Sequence, residues 1–216
     1  MNKIGSLISG GWDPGTFSIE RVLADAFIPG SNSYTFWGKG VSQGHSDAVR
    51  SEISGVIDAR QYTIPIQEAI DSVRAGNNPM LKTRQRHTRL VYVVADKDAD
   101  KERITREIKA MPDYFVDYDT TVEFITKEQM KEQHSAYPHG GFVITTGTTG
   151  NGNKASIEYN NQWESNPEAT GNILVACARA VYRMRKDGKI GVITMLDVPP
   201  VLFSPRNREE LIRSFM

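Results

Sequence analysis

The chain has one cysteine, no long apolar run and no net charge. Cys177 stands alone among 216 residues, which excludes an internal disulfide and fits a reducing compartment. No window approaches the roughly 18 apolar residues of a membrane span, and MNKIGSLISGG, starting at Met1, lacks the apolar core of a signal peptide. Lysine plus arginine and aspartate plus glutamate each number 26, so no overall field draws in nucleic acid or an anionic membrane surface. Histidine is scarce, and the residues at positions 45, 87, 134 and 139 show no metal-ligand spacing with each other or with Cys177. Neither repeats nor low-complexity segments occur. These absences leave a globular protein, expected in the cytoplasm, with no metal and with neither nucleic acid nor membrane as partner.

What is present is a mixture of strand and helix patterns. The clearest helix runs from Pro167 to Lys186, where Ile173, Leu174, Cys177, Val181 and Met184 recur at helical spacing and Gly188 ends the run. Cys177 falls in that apolar stripe, so it reads as core, not as a nucleophile. Further helices are expected after Asp13-Pro14, from His45 to Ile53, from Ile66 to Ala75, from Asp100 to Met111, and after Ser204. Strand patterns cover 34–38, 56–65, 84–95, 122–126, 142–146, 155–160 and 192–198. The turn-rich segment from Gly147 to Asn153 joins two of them as a hairpin, which implies antiparallel pairing. The expected class is α+β, with helices packed on a mixed, largely antiparallel sheet.

The segment GKGVSQG, from Gly38 to Gly44, has the glycine spacing of a pyrophosphate cradle, and Asp58 stands where a ribose-binding acid would. Such a loop should follow a buried, nearly continuous apolar strand. Ser33 to Trp37 is half polar, and the helix after the loop, HSDAVRSEIS, has little to pack on a sheet. The spacing alone is weak. The cluster from Gly147 to Gly152 lacks the Gly-Lys-Ser/Thr of a phosphate loop and reads as a hairpin turn.

Lys82, Arg84, Arg86, His87 and Arg89 fall within eight residues. Alternation along a strand puts Gln85, His87 and Arg89 on one face with Val91 and Val93. Arg89 is thereby drawn toward an apolar face, where a guanidinium requires an anionic partner. That partner is either an internal carboxylate or a ligand. His139 lies among glycines before a strand, as a solvated loop residue or as a binding group. Asp13 and Asn166 each precede a proline that opens a helix, so local sequence makes both N-caps.

Together these segments resemble meso-diaminopimelate dehydrogenase. The resemblance rests on GWDPG from Gly11 to Gly15, Phe36-Trp37-Gly38 with SQGHSD from Ser42 to Asp47, MPDYF from Met111 to Phe115, PHGG from Pro138 to Gly141 with VITTG from Val143 to Gly147, and the run from Ala178 to Pro205. It spans nearly the whole chain in family order. It implies the C-terminal domain of a two-domain amino-acid dehydrogenase, with residues 1–216 forming a substrate-binding and dimerisation domain. The family's nucleotide fingerprint belongs to a domain ahead of GWDPG, so that domain is expected to be absent here and the segment 203–216 to lose the surface it packs on. Leu211, Ile212 or Phe215 should then be exposed.

The implied reaction, part of lysine biosynthesis, is NADP-dependent oxidative deamination of the D-centre of meso-2,6-diaminopimelate to L-2-amino-6-oxopimelate and ammonia. Carried over by motif, Asp13 is the catalytic residue beside the reacting amino group. Trp12 and Trp37 wall the pocket, and Gln43, Gly44 and Asp47 surround the reacting end. Thr63, Arg89 and His139 grip the distal L-centre, with Arg89 on its carboxylate, and Asn166 adds a hydrogen bond. NADP is the cofactor of the full-length family, with no tight binding expected for this chain alone, and a homodimer is implied. The other possibility is a non-catalytic dimerising module that holds diaminopimelate-like zwitterions.

Overall fold

The computed structural model describes residues 5–216. In chain order the elements are β1 (Gly5–Ile8), α1 (Thr16–Phe27), β2 (Asn32–Trp37), β3 (Gly40–Ser42), α2 (Gln43–Glu52), β4 (Val56–Pro65), α3 (Gln67–Arg74), α4 (Thr83–Arg86), β5 (His87–Ala95), α5 (Lys101–Ala110), β6 (Asp119–Phe124), α6 (Lys127–Gln133), β7 (His139–Thr148), β8 (Lys154–Trp163), α7 (Asn166–Lys186), β9 (Gly191–Thr194), a 3-10 turn (Met195–Asp197), α8 (Pro200–Phe203) and α9 (Arg208–Phe215). The described residues divide into two compact units, one made of 28–166 and the other of 5–27 with 167–216.

The central unit holds two sheets. A four-stranded sheet has the order β3-β4-β5-β6, antiparallel except for the β5–β6 pair. Along β4 and β5 burial alternates, so Ala59, Gln61, Thr63, His87, Arg89, Val91 and Val93 share the inward face. Helices α2 and α5 cover that face, bringing Val49, Ile53, Ile104 and Ile108 against Ala59, Val91, Val93 and Phe115. Each fully buried branched or aromatic side chain here contributes about 1.5–3 kcal/mol. The second sheet, β2-β7-β8, is antiparallel throughout. Helix α3 lays Ala69, Ile70 and Val73 on its Tyr34, Phe36 and Ile144. The expected hairpin is β7–β8, longer than the sequence pattern indicated because polar residues alternate along the exposed strand β8.

The terminal unit pairs β1 with β9 in parallel. Ala180 and Met184 of α7 pack with Val198, Leu7, Ile193, Leu202 and Phe203. Cys177 is buried on the same helix, its Sγ 3.3 Å from where a side chain at Gly10 would begin. Leu211 is half-buried, whereas Ile212 and Phe215 are exposed.

Mixed, mostly antiparallel pairing agrees with the expected class. Several boundaries differ. Residues Thr83 to Arg86 form a helical turn closed by the Gln85 side chain on the Lys82 backbone, so the strand begins only at His87. The final helix starts after Asn207, which forms a capping box with Glu210, and not after Ser204. Helix α1 begins at Thr16, and Asp13 leaves its capping position to pair with Arg21.

Candidate functional site

The two sheets of the central unit meet where β2 passes into β3. Gly38 donates its N–H to the Gly140 carbonyl at 2.9 Å, and Val41 donates to the Pro138 carbonyl at 2.7 Å. The register of β3 on β4 sets Gly40 opposite Thr63, and that of β4 on β5 sets Thr63 opposite Arg89. Glycine is required at this crossing. A Cβ on Gly38, whose φ is +104°, would lie 2.1 Å from the Thr63 carbonyl oxygen, and one on Gly40 would lie 2.6 Å from the His139 Cα. Gly38 and Gly40 face the protein's own backbone, so this pair does not form a phosphate cradle. Asp58 is an ion-pair residue, 2.7 Å from Arg60 and 3.5 Å from Arg50.

The crossing gathers Trp37, Thr63, Arg89 and His139. Arg89 is only 5% exposed. Its Nη1 donates to the Thr63 hydroxyl, and its guanidinium lies 3.9 Å from the centroid of the Tyr118 ring. Among the described residues no carboxylate forms an ion pair with it, and its Nε has no hydrogen-bond partner. Of the two partners the sequence allowed for Arg89, the internal carboxylate is therefore not found. Burial lowers the Arg89 pKa, with Tyr118 opposing the shift, but a guanidinium stays cationic throughout the accessible pH range.

Three imidazoles surround this cation, and all are biased toward the neutral form. His87 is pushed down to about 3 by burial first, then by Arg89 and Arg86. Its Nε2 accepts the Trp37 backbone N–H at 2.8 Å, and the two rings stack with centroids 5.2 Å apart. His45 is pushed down to about 4 by burial and by Arg89. Its Nδ1 lies 2.7 Å from the Ser42 hydroxyl, and its ring meets Tyr114 and Phe115 edge-on. His139 is lowered by burial, with a hydrogen bond to Gly140 opposing and Arg89 reinforcing.

The other predicted residues fall as follows. Asn166 is buried and begins α7, and its backbone N–H donates to the Tyr137 carbonyl at 2.8 Å. With the bridge between Tyr137 and Ser165, this tethers it near the start of β7. Gln43 and Gly44 are exposed in the first turn of α2. Asp47 is also exposed, 3.1 Å from Arg50. Trp12 and Asp13 belong to the terminal unit, where Trp12 packs edge-on against Phe17 and the Asp13 carboxylate takes two hydrogen bonds from Arg21. Sequence reasoning missed Gln61, His87, His45 and Tyr118. His87 and Gln61 were within reach of strand alternation, since each shares the inward face with a residue already chosen.

Open surface cavities lie elsewhere in the central unit. One of about 450 Å³ is lined by Asp58, Arg60, Met130 and Tyr137 among others, and one of about 330 Å³ by Arg74, Asn78, Thr146 and Lys154 among others. Neither contains a predicted site residue.

A domain family described as the diaminopimelic acid dehydrogenase C-terminal domain matches residues 11–165. The meso-diaminopimelate D-dehydrogenase of Acetivibrio thermocellus is 56% identical over 217 residues, covering 100% of this chain and 65% of that protein. The chain thus spans about two-thirds of the length of this relative. Among solved structures, a multiply substituted meso-diaminopimelate dehydrogenase from Clostridium tetani E88, determined with DAP, superposes with a TM-score of 0.89 at 47% identity, over 98% of this chain and 65% of that one. An engineered D-amino acid dehydrogenase bound to NADP+ superposes at 0.90 with 43% identity, over 99% and 66% of the respective chains.

Proposed function

Because the chain belongs to the diaminopimelic acid dehydrogenase C-terminal domain family, we propose that it is the part of such an enzyme that holds the amino-acid substrate, meso-2,6-diaminopimelate. The reaction it serves is oxidative deamination at the D-centre. The observation that carries this reading is Arg89, a buried cation without an anionic partner among the described residues. An isolated buried charge is costly, and proteins retain one where a ligand supplies the counter-charge. The planar guanidinium takes a carboxylate, here the distal one, with Thr63 and His139 as neighbouring polar groups. Keeping the imidazoles neutral avoids a second cation, so the pocket matches a single carboxylate.

The substituted relative from Clostridium tetani supports the same residues. It carries changes at a threonine, an arginine, a Pro-His pair and an asparagine, spaced along its chain as Thr63, Arg89, Pro138 with His139, and Asn166 are here; a further changed glutamine falls within one position of Gln43. Trp37, braced by His87, walls the pocket. Trp12, Asp13, Gln43, Gly44 and Asp47 complete the proposal at the reacting end, where an aspartate carboxylate offsets the substrate ammonium and assists its deprotonation.

NADP is the hydride acceptor this reading assigns to the full-length enzyme. The glycines of GKG and GWDPG do not supply a cradle for its pyrophosphate. Gly38 and Gly40 face the chain's own backbone, and a Cβ on Gly15 would strike the Gly11 carbonyl at 1.7 Å. Homodimer formation belongs to the same proposal, supported by half-exposed Tyr62, Ile64, Leu90 and Tyr92 on the outward face of the four-stranded sheet. Lysine biosynthesis in the cytoplasm is its proposed setting.

Calorimetric titration of the chain with meso-diaminopimelate tests the reading. Uptake that falls sharply in Arg89→Met is expected, and no uptake, or equal uptake by both, refutes it. Mixing the chain with NADP and meso-diaminopimelate should give no reduced-nicotinamide absorbance; its appearance would show that these residues hold the dinucleotide after all.

A further inference from the structure

Gln61 is fully buried on the inward face of β4, between Ala59 and Thr63 and opposite Val91. Ala59 beside it and Val91 opposite belong to the apolar cluster, yet it carries a primary amide whose Oε1 has no hydrogen-bond partner among the described residues. A half-satisfied amide in such a place destabilises a fold relative to an apolar residue of the same size. Its backbone is also firmly placed. The Gln61 N–H donates to the Ser46 hydroxyl at 2.9 Å, and Ser46 donates in turn to the Ser42 carbonyl at 2.6 Å.

The other end of the amide explains its presence. Gln61 Nε2 donates to Thr63 Oγ1 at 3.3 Å, and Arg89 Nη1 donates to the same oxygen. A hydroxyl has two lone pairs and one proton. The two contacting atoms, an amide nitrogen and a guanidinium nitrogen, can only donate, so both lone pairs are engaged and the Thr63 proton is left for a third group. We propose that Gln61 is a positioning residue for the ligand carboxylate: with Arg89 it makes the Thr63 hydroxyl an obligate donor, so hydroxyl and guanidinium converge on one anion. This rests on the reading that Arg89 and Thr63 hold a substrate carboxylate. It adds a residue that touches no substrate and acts through Thr63.

The test is a double-mutant cycle on the 216-residue chain, read by calorimetric titration with meso-diaminopimelate and by thermal unfolding. Gln61→Met keeps the volume and removes the amide. It should bind about three- to tenfold more weakly while melting at or above the temperature of the unchanged chain. Thr63→Val should lose at least as much affinity, and adding Gln61→Met to it should cost less than about twofold more. A Gln61→Met chain that binds as the unchanged one does, or single effects that multiply in the double variant, overturns the role of Gln61 alone. Gln61→Glu decides the matter should the methionine variant fail to fold. Its carboxylate would occupy Arg89 and weaken uptake by more than about a hundredfold, and undiminished uptake overturns the proposal. If the unchanged chain takes up no diaminopimelate, the carboxylate-site reading itself falls, and the role of Gln61 falls with it.

Discussion

Replacing Arg89 by methionine separates a structural cation from one kept for a ligand. Methionine preserves a flexible apolar stem of similar reach. In the unliganded chain the substitution removes the hydrogen bond to Thr63, a charged bond contributing about 1.5–3 kcal/mol. It also removes the approach to Tyr118 at 3.9 Å, which contributes about 1–2 kcal/mol. Opposing these is relief of the desolvation of a guanidinium that is 5% exposed and lacks a carboxylate, a penalty of several kcal/mol. The expected outcome is a variant as stable as the unchanged chain, or more stable by up to about 3 kcal/mol. Binding moves in the opposite direction. Losing a buried charge-assisted pair with the ligand costs about 2–5 kcal/mol, or about thirtyfold to several thousandfold in affinity. Urea unfolding gives the first quantity and calorimetric titration with meso-diaminopimelate the second. A variant destabilised by more than about 2 kcal/mol that still binds normally would make Arg89 an internal structural cation and refute the reasoning.

Acid should destabilise the fold before the carboxylates begin to titrate. His87 is pushed down to about 3 and His45 to about 4, against about 6.5 for a free imidazole. With folded values depressed, the unfolded chain takes up protons first, so this stability is fully present above about pH 6.5 and lost as the pH falls toward the folded values. Each imidazole contributes a slope of about 1.4 kcal/mol per pH unit, or about 2.7 for the two between pH 6 and 4.5. Urea midpoints that stay level from pH 7 to 4.5 would contradict the burial of both rings. At the sheet crossing, Gly38→Ala forces a Cβ to 2.1 Å from the Thr63 carbonyl at a φ of +104° and should cost more than about 2 kcal/mol. Gly44→Ala meets nothing within 4 Å on a helix and should change stability by less than about 1 kcal/mol in either direction. Equal thermal unfolding of these two variants would show that the crossing is looser than drawn.

Strand alternation made part of the site legible before any coordinates. From His87 onward the pattern assigns Arg89 to the inward face with Val91 and Val93, and burial follows it. The same alternation extended back to Arg84 fails, because a side-chain cap closes a helical turn there, and local periodicity carries no trace of that cap. Helix α6 went unread for a related reason. It buries only Met130 within its length, so it lacks the apolar repeat from which helices are recognised. Asp13 shows a different limit. Asp-Pro reads as a helix N-cap locally, but a guanidinium in the second turn of the helix draws the carboxylate away from the backbone amides. The Gly38–Gly44 loop is the clearest such case. Its spacing suggests a ligand, whereas the demand for glycine at Gly38 and Gly40 comes from backbone passing close to backbone across two sheets, a contact that appears only once β4 and β7 are placed.

That crossing also bears on how the site works. Gly38 and Gly40 bring the start of β7, with His139, to within direct contact of the strand that pairs with Thr63. The position of His139 relative to Arg89 is thereby set by backbone contacts between sheets, not by a flexible loop. Arg89 lowers the pKa of His45, His87 and His139 alike, so the arriving carboxylate would neutralise the one charge that all three imidazoles sense. Each of them then becomes easier to protonate, and proton uptake on binding is required by linkage wherever the ligand shifts a titrating group. His45, at about 4, lies too far below neutral pH for much uptake there and comes within reach as the pH falls toward 5. Titrations of meso-diaminopimelate in buffers of different ionisation heat should therefore show uptake growing from pH 7 to 5. Binding that takes up no protons across that interval would mean that the carboxylate is not held beside Arg89.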